Sequence, residues 1–334
     1  MINQIKISGL IIAIGAGLIL ILTSGCASDS PQTSSKQEMN QHYYPYNTQS
    51  FQLSNGTHIA YRDTGKGQET LVFIHGLGSY LPVWDKLIPQ LATDFRCISL
   101  DLPGYGKSDL VDDSISIAFF AQTVEIFIQE MGLQQVTLVG HSMGGQIAIR
   151  MSLNQKIEIN QLILFAPAGI ETFTAEEASM LSQLVTPASI LALEDSQIAQ
   201  NFHVNFYNNQ MPEDAVFMYE DRLSMKADSN AYSYFSRLFP ASMNAMLEGP
   251  VFNELSRLDM PVLVFYGEND LLIPNKYLHP ELTTQKVGEI AITHIPNSEL
   301  IMVPQCGHFV PWEQADIVSQ AMVSFIEKNK NYSQ

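Results

Sequence analysis

Gly140-His141-Ser142-Met143-Gly144 sets a serine between two glycines, with the apolar run Val136–Val139 before it and a helical pattern, Met143–Leu153, after it. A serine on so tight a strand-to-helix turn takes strained backbone angles, and side chains two places to either side would collide. Gly140 and Gly144 avoid that clash. The turn pushes the Ser142 hydroxyl out over a helix N-terminus, which favours developing negative charge. The chemistry on offer is nucleophilic attack, and a hydroxyl is a weak nucleophile that needs a base.

Eight histidines could supply it. His308 lies in Cys306-Gly307-His308-Phe309, after the last apolar run and before the last helical pattern. His141 adjoins Ser142, and neighbouring side chains diverge on such a turn, so it is a poor base. His75 precedes a Gly-rich turn and is expected to shape that loop. His42, His58, His203, His279 and His294 have no motif around them and read as ordinary surface or core histidines. The base in turn needs a carboxylate to fix its tautomer and stabilise its cation. Glu268 and Asp270 both follow the run Val262–Tyr266; Asp270 is preferred because it sits deeper in the loop before Leu271-Leu272-Ile273-Pro274. The attack creates an oxyanion, which needs preplaced N–H donors. The backbone amides of Met143 and Leu77 are the candidates, Leu77 lying in His75-Gly76-Leu77-Gly78 where two glycines let the chain turn inward.

Positioning these residues requires a sheet. Apolar, β-rich runs occur at His58–Arg62, Thr70–Ile74, Arg96–Leu100, Val136–Val139, Gln161–Phe165, Val262–Tyr266 and Leu300–Val303. Most are near-continuous, as expected of strands covered on both faces. Helical patterns at Ile117–Met131, Met143–Leu153 and Asp316–Ile326 alternate with them, which predicts an α/β fold with a mostly parallel sheet. Between Phe165 and Val262 no strand is evident. Residues 170–250 read as an inserted helical cap with breaks at Pro187, Pro212 and Pro240, and residues 48–169 and 251–334 as the core. The cap is rich in Met and aromatic residues, which suit an adaptable apolar pocket or simply pack it onto the core. It has no Lys or Arg cluster, which favours a neutral, partly apolar substrate.

Five segments, HGLG (75–78), DLPGYGKSD (101–109), GHSMGG (140–145), GENDLLIP (267–274) and GHFVPWE (307–313), follow one another in an order that resembles the α/β-hydrolase family over roughly residues 48–330. Among its branches the chain most resembles the lid-bearing bacterial esterases and lipases. The resemblance implies an eight-stranded, mostly parallel sheet flanked by helices, with a cap after the sixth strand. It implies Ser142 as nucleophile, Asp270 as acid and His308 as base, in the family's Ser…Asp…His order. It also implies Leu77 and Met143 as oxyanion donors. The other acid position of the family, after the sixth strand, reads Ala166-Pro167-Ala168-Gly169 and offers no carboxylate. Relatives with an Asp or Cys nucleophile are excluded by Ser142. Carbon–carbon bond hydrolases often carry Asn before the serine, where this chain has His141. The expected activity is hydrolysis of neutral, partly apolar carboxylic esters through an acyl-enzyme, with no metal or organic cofactor. The alternatives are a carbon–carbon bond hydrolase or perhydrolase on the same triad, or a non-catalytic ligand-binding lipoprotein.

The chain has 334 residues, 34 acidic against 17 basic, and a formal net charge of -17. That excess excludes a nucleic-acid-coating protein and serves solubility. Gly104-Tyr105-Gly106-Lys107-Ser108 ends like a phosphate-binding loop, but the required glycine five residues before Gly106 is Asp101. Asp101 is expected instead to bond nearby backbone groups. Three cysteines make neither a disulfide scaffold nor a zinc site, and Cys97 and Cys306 are expected as free thiols.

At the N-terminus, Leu10 to Leu22 is an apolar run too short to span a membrane, which takes about 20 residues, but suited to the core of a signal peptide. Leu22-Thr23-Ser24-Gly25-Cys26 resembles the lipobox of bacterial lipoproteins, although Leu22 sits one place further from the cysteine than usual. The resemblance implies a leader over 1–25, acylation of Cys26 and a flexible tether over 26–47. The absence of Asp at Ala27 implies outer-membrane sorting. The expected partners are a small ester and, through the lipid anchor, a membrane; the expected state is a monomer.

Overall fold

The computed structural model describes residues 11–14, 17–20, 47–112 and 115–330. Eight strands form one sheet: β1 (Gln49–Gln52), β2 (His58–Thr64), β3 (Thr70–Ile74), β4 (Arg96–Leu100), β5 (Val136–His141), β6 (Ile159–Phe165), β7 (Val262–Gly267) and β8 (Ser298–Val303). Their order is β8-β7-β6-β5-β3-β4-β2-β1. β2 runs antiparallel to both its neighbours, β1 and β4, and every other pairing in the sheet is parallel. The seven runs read from the sequence all become strands. β1 escaped notice because Gln-Ser-Phe-Gln is short, polar and mostly exposed at the sheet edge.

The near-continuous apolar runs divide their side chains between two cores. Val72, Ile74, Leu138, Leu162 and Val264 point to one face; Leu71, Phe73, Val139, Ile163 and Phe265 point to the other. This is the period of two of a strand covered on both sides. Helix α1 (Ile117–Glu130) covers the first face with Phe120, Val124 and Phe127, its N-terminus capped by Ser116. Helix α2 (Met143–Asn154) lies on the same face.

Between β6 and β7 the chain is helical: α3 (Ala175–Leu184), α4 (Pro187–Leu191), α5 (Asp195–His203), α6 (Val216–Ala227) and α7 (Ser229–Glu248). Pro187 opens α4 and Pro212 precedes α6, but Pro240 breaks nothing; it lies inside α7. A proline there removes one backbone bond. The buried stripe of Ala231, Tyr232, Phe235, Leu238, Phe239 and Met243 holds the helix together across it, since fully burying one such side chain contributes about 1.5–3 kcal/mol. Further helices follow, among them α8 (Thr284–His294) and α9 (Ala315–Lys328). The polar-rich α8 was not read from the sequence. It is capped by Thr283 and held by Val287 and Ala291.

Near the N-terminus, Ile11–Ile14 pairs antiparallel with Gly17–Leu20. Cys26, the rest of the expected leader and the tether as far as residue 46 lie outside the described residues. No helix among the described residues is long and apolar enough to cross a membrane.

Candidate active site

Strand register sets the site. Ile74 of β3 pairs with Gly140 of β5, Gly140 pairs with Leu164 of β6, and Phe165 pairs with Phe265 of β7. The C-terminal ends of four neighbouring strands are thereby level, and the loops that follow them converge.

Ser142 caps α2 with φ 53° and ψ −117°, a left-handed conformation that strains a residue carrying a Cβ. The glycines around it are a steric necessity, for reasons that only partly match the expectation. A Cβ on Gly140 would lie 2.5 Å from the Gly144 carbonyl oxygen, across the turn as expected. A Cβ on Gly144 would instead strike strand β3, 2.1 Å from the Ile74 oxygen and 2.6 Å from the His75 oxygen. Gly144 therefore lets α2 approach the sheet. The Met143 amide opens α2, and neither it nor the Leu77 amide donates to another described residue.

Asp270 and His308 are brought together, both almost wholly buried. His308 Nδ1 lies 2.8 Å from Asp270 Oδ2. Asp270 Oδ1 accepts the amides of Leu272 (2.7 Å) and Ile273 (3.1 Å), so one carboxylate oxygen is fixed by the backbone and the other faces the imidazole. Glu268, the alternative acid, is exposed. His308 Nε2 and Ser142 Oγ are both buried and have no partner among the described residues. The Ser–His hydrogen bond is thus open in this structure, and such bonds commonly tighten only when substrate binds.

His308 is anchored by the helical segment between β6 and β7. The amides of His308 and Phe309 donate to the Asn205 carbonyl at 2.7 and 3.1 Å. Glu313 accepts the Gly307 amide with one oxygen and the Tyr207 amide with the other, each at 2.7 Å. Burial raises the Glu313 carboxyl above its usual range. His141 is no base: its Nε2 meets the His308 carbonyl at 3.0 Å and its ring packs 4.8 Å from that of His308. Burial holds its pKa well below the ordinary histidine value. His141 braces the backbone of His308 as a neutral imidazole.

His75 shapes its loop, and the structure shows how. Its Nε2 accepts the Leu102 amide at 3.0 Å, so its proton is on Nδ1, which donates to the Gly76 carbonyl at 2.9 Å. Burial lowers its pKa to about 4. Asp101 is tied to backbone, accepting the amides of Leu81 (2.7 Å) and Lys107 (2.9 Å). Cys97 and Cys306 are buried free thiols, with burial pushing the Cys97 thiol up to about 12.

Two chambers flank the centre. One of about 150 Å³ has Ser142, Gln146 and Glu171 in a wall otherwise built largely from Leu181, Met243, Met246 and Ile273. The other, about 70 Å³, lies by Leu77 and Phe309 against Phe202, Phe235 and Phe239. No Lys or Arg lines the first chamber among the described residues. Glu171 and His279 were missed in the sequence. Glu171 lies two residues past Gly169, and His279 was read as unremarkable. Their Oε1–Nδ1 contact of 2.5 Å joins positions 108 residues apart, for which no local motif exists.

A family model for the alpha/beta hydrolase fold matches residues 69–315. A curated relative from Escherichia coli, 2-hydroxy-6-oxononadienedioate/2-hydroxy-6-oxononatrienedioate hydrolase, is 27% identical over 282 residues, 81% of this chain and 91% of the relative. Among solved structures, a probable hydrolytic enzyme from Pseudomonas aeruginosa superposes with a TM-score of 0.75 at 23% identity, covering 87% of this chain and 97% of that one. An esterase from Exiguobacterium antarcticum gives a TM-score of 0.68 at 22% identity over 83% of this chain and 98% of its own.

Proposed function

The chain belongs to the alpha/beta hydrolase fold family and is a hydrolase, and from that premise we propose that it is a serine esterase acting on neutral, partly apolar carboxylic esters. Ser142 Oγ attacks the ester carbonyl and passes its proton to His308 Nε2. Asp270 holds the proton on Nδ1 and stabilises the imidazolium. The Leu77 and Met143 amides receive the oxyanion, and the α2 N-terminus favours its charge. The alcohol leaves with the proton from His308, and water then repeats the sequence on the acyl-enzyme. The observation that carries this reading is the Asp270–His308 contact at 2.8 Å, with an unengaged Nε2 buried in the same site as an unengaged serine hydroxyl.

The second reading, carbon–carbon bond hydrolysis, draws on the curated relative, whose named substrates carry two carboxylates. The chamber beside Ser142 has no Lys or Arg to receive such a dianion, whereas the chamber by Leu77 is lined by Arg222. The test is turnover of p-nitrophenyl hexanoate beside a 2-hydroxy-6-oxodienoate, with labelling by a fluorophosphonate. Ester turnover with label on Ser142 supports the esterase. Turnover of the dienoate alone selects the second reading. Peracid formation from hydrogen peroxide as the dominant activity selects a perhydrolase, and absence of label leaves a ligand binder.

Residues 170–250 are the proposed cap over a core of 48–169 and 251–334. Residues 1–25 are the proposed lipoprotein leader, with Cys26 the lipidated residue of an exported protein tethered at the outer membrane. Cells fed labelled palmitate are expected to incorporate it into the wild type and not into Cys26→Ser; equal incorporation removes the anchor from the account.

A further inference from the structure

The chamber beside Ser142 is mostly apolar; its polar residues are Ser142, Gln146, Glu171, Thr172 and Asn275, and two of them, Glu171 and Gln146, offer acceptors with spare capacity. Glu171 contributes a carboxylate whose side chain is 6% exposed. Its Oε1 accepts the Asn275 amide at 2.9 Å and faces His279 Nδ1 at 2.5 Å. Its Oε2 shares the same Asn275 amide at 3.1 Å. A carboxylate has about four acceptor positions, so Oε2 retains capacity. Gln146, one helical turn beyond Ser142 on α2, is buried in the same wall. Its Nε2 donates to the carbonyls of Met246 and Gly249, both at 2.9 Å, which fixes the amide orientation. That leaves Gln146 Oε1 buried with no partner among the described residues. A buried acceptor without a donor is costly, about 1–3 kcal/mol, and a ligand that brings the donor recovers the loss.

Charge adds a preference among donors. His279 Nε2 lies 3.4 Å from Glu177 Oε1, so the imidazole stands between two carboxylates. With both ionised and His279 protonated, the trio still carries one net negative charge.

We infer that this chamber selects its substrate through hydrogen-bond donors: it takes the end of an ester that bears an ammonium or hydroxyl group on an apolar chain, the group meeting Glu171 and Gln146. The ammonium is preferred to the hydroxyl, the hydroxyl to a methyl, and a carboxylate is rejected. This rests on the esterase reading.

The test uses p-nitrophenyl esters of hexanoic, ω-hydroxyhexanoic, ω-aminohexanoic and adipic acid, together with acetate esters of the matching alcohols, so that either end of the substrate can present the group. In the series whose variable end enters the chamber, kcat/KM is expected to fall in the order ammonium, hydroxyl, methyl, carboxylate, by about tenfold between the ammonium and the methyl. Glu171→Gln, an isosteric loss of charge, is expected to erase most of the ammonium-to-methyl ratio and to raise the carboxylate-to-methyl ratio. Gln146→Met is expected to lower the hydroxyl-to-methyl ratio several-fold and gives an independent reading if the Glu171 variant folds poorly. Equal rates across both series, or a uniform loss on all substrates in the variants, overturns the inference while leaving the esterase intact. Failure of the wild type on every ester, hexanoate included, overturns both.

Discussion

Ser142→Ala is expected to lower ester turnover by about six orders of magnitude, the scale on which a triad serine and its partners act as a unit. KM and the fold are expected to hold, because the hydroxyl has no hydrogen-bond partner among the described residues whose loss could disturb them. Stability separates this chemical role from a structural one. Ser142 sits at φ 53°, where a Cβ costs about 1–3 kcal/mol. Ser142→Gly is therefore expected to be as inactive as the alanine variant and at least as stable, seen as an equal or higher Tm. Asp270→Asn belongs to the same experiment. The asparagine carbonyl can still accept the Leu272 and Ile273 amides, but its NH2 group cannot accept from His308 Nδ1. The imidazole then adopts the other tautomer, with a proton facing the serine, and a loss of about 10⁴ in kcat is expected. Activity in Ser142→Ala within a hundredfold of wild type would remove the serine from the mechanism.

His75→Leu is expected to lower kcat by about 10²–10³ with little change in KM, although His75 touches neither the serine nor the base. The reason is peptide planarity. In a trans peptide the carbonyl and the amide point in opposite directions. The Gly76 carbonyl and the Leu77 amide belong to one peptide, and His75 Nδ1 holds that carbonyl at 2.9 Å. Fixing the oxygen aims the Leu77 N–H the other way, and without it the second oxyanion donor is free to rotate. The same histidine makes the fold acid-sensitive. Its folded pKa is lowered to about 4 by burial, whereas an unfolded histidine titrates near 6.5. Above about pH 6.5 it is neutral in both states and leaves stability unchanged with pH. As the pH falls from 6.5 to 4 only the unfolded state takes the proton, and stability drops by up to roughly 3 kcal/mol. Urea midpoints across that window should fall more steeply in wild type than in His75→Leu. Parallel slopes, or an undiminished kcat per folded molecule, would contradict this role.

The turn at Ser142 was legible because part of its constraint is local: a positive φ at one residue and Gly140 closing against Gly144 are readable in five letters. His75 was legible as a loop-shaping residue, but its tautomer and its two partners depend on Leu102, 27 positions along. The Pro240 break failed because a local penalty lost to a buried stripe along the whole of α7. Glu171 went unread for the opposite reason, since nothing in its neighbours marks it. Within Ala166–Gly169 the loop after the sixth strand offers no carboxylate. The carboxylate that matters comes two residues later and pairs with His279 rather than His308.

The amino-acid sequence by itself determined the alternation of strand and helix and the glycine-flanked turn at Ser142, because each depends on residue types within a short window. Only the tertiary structure decided which loops meet, how Asp270 divides its oxygens between backbone and base, what polar groups wall the chamber, and which imidazole is held neutral. Those outcomes are set by strand register and by burial, which join segments distant along the chain, 38 residues for Asp270 and His308 and 108 for Glu171 and His279. The same glycine shows both sides: Gly144 is required by its motif, yet the atoms that require it are the carbonyls of Ile74 and His75 at the end of another strand.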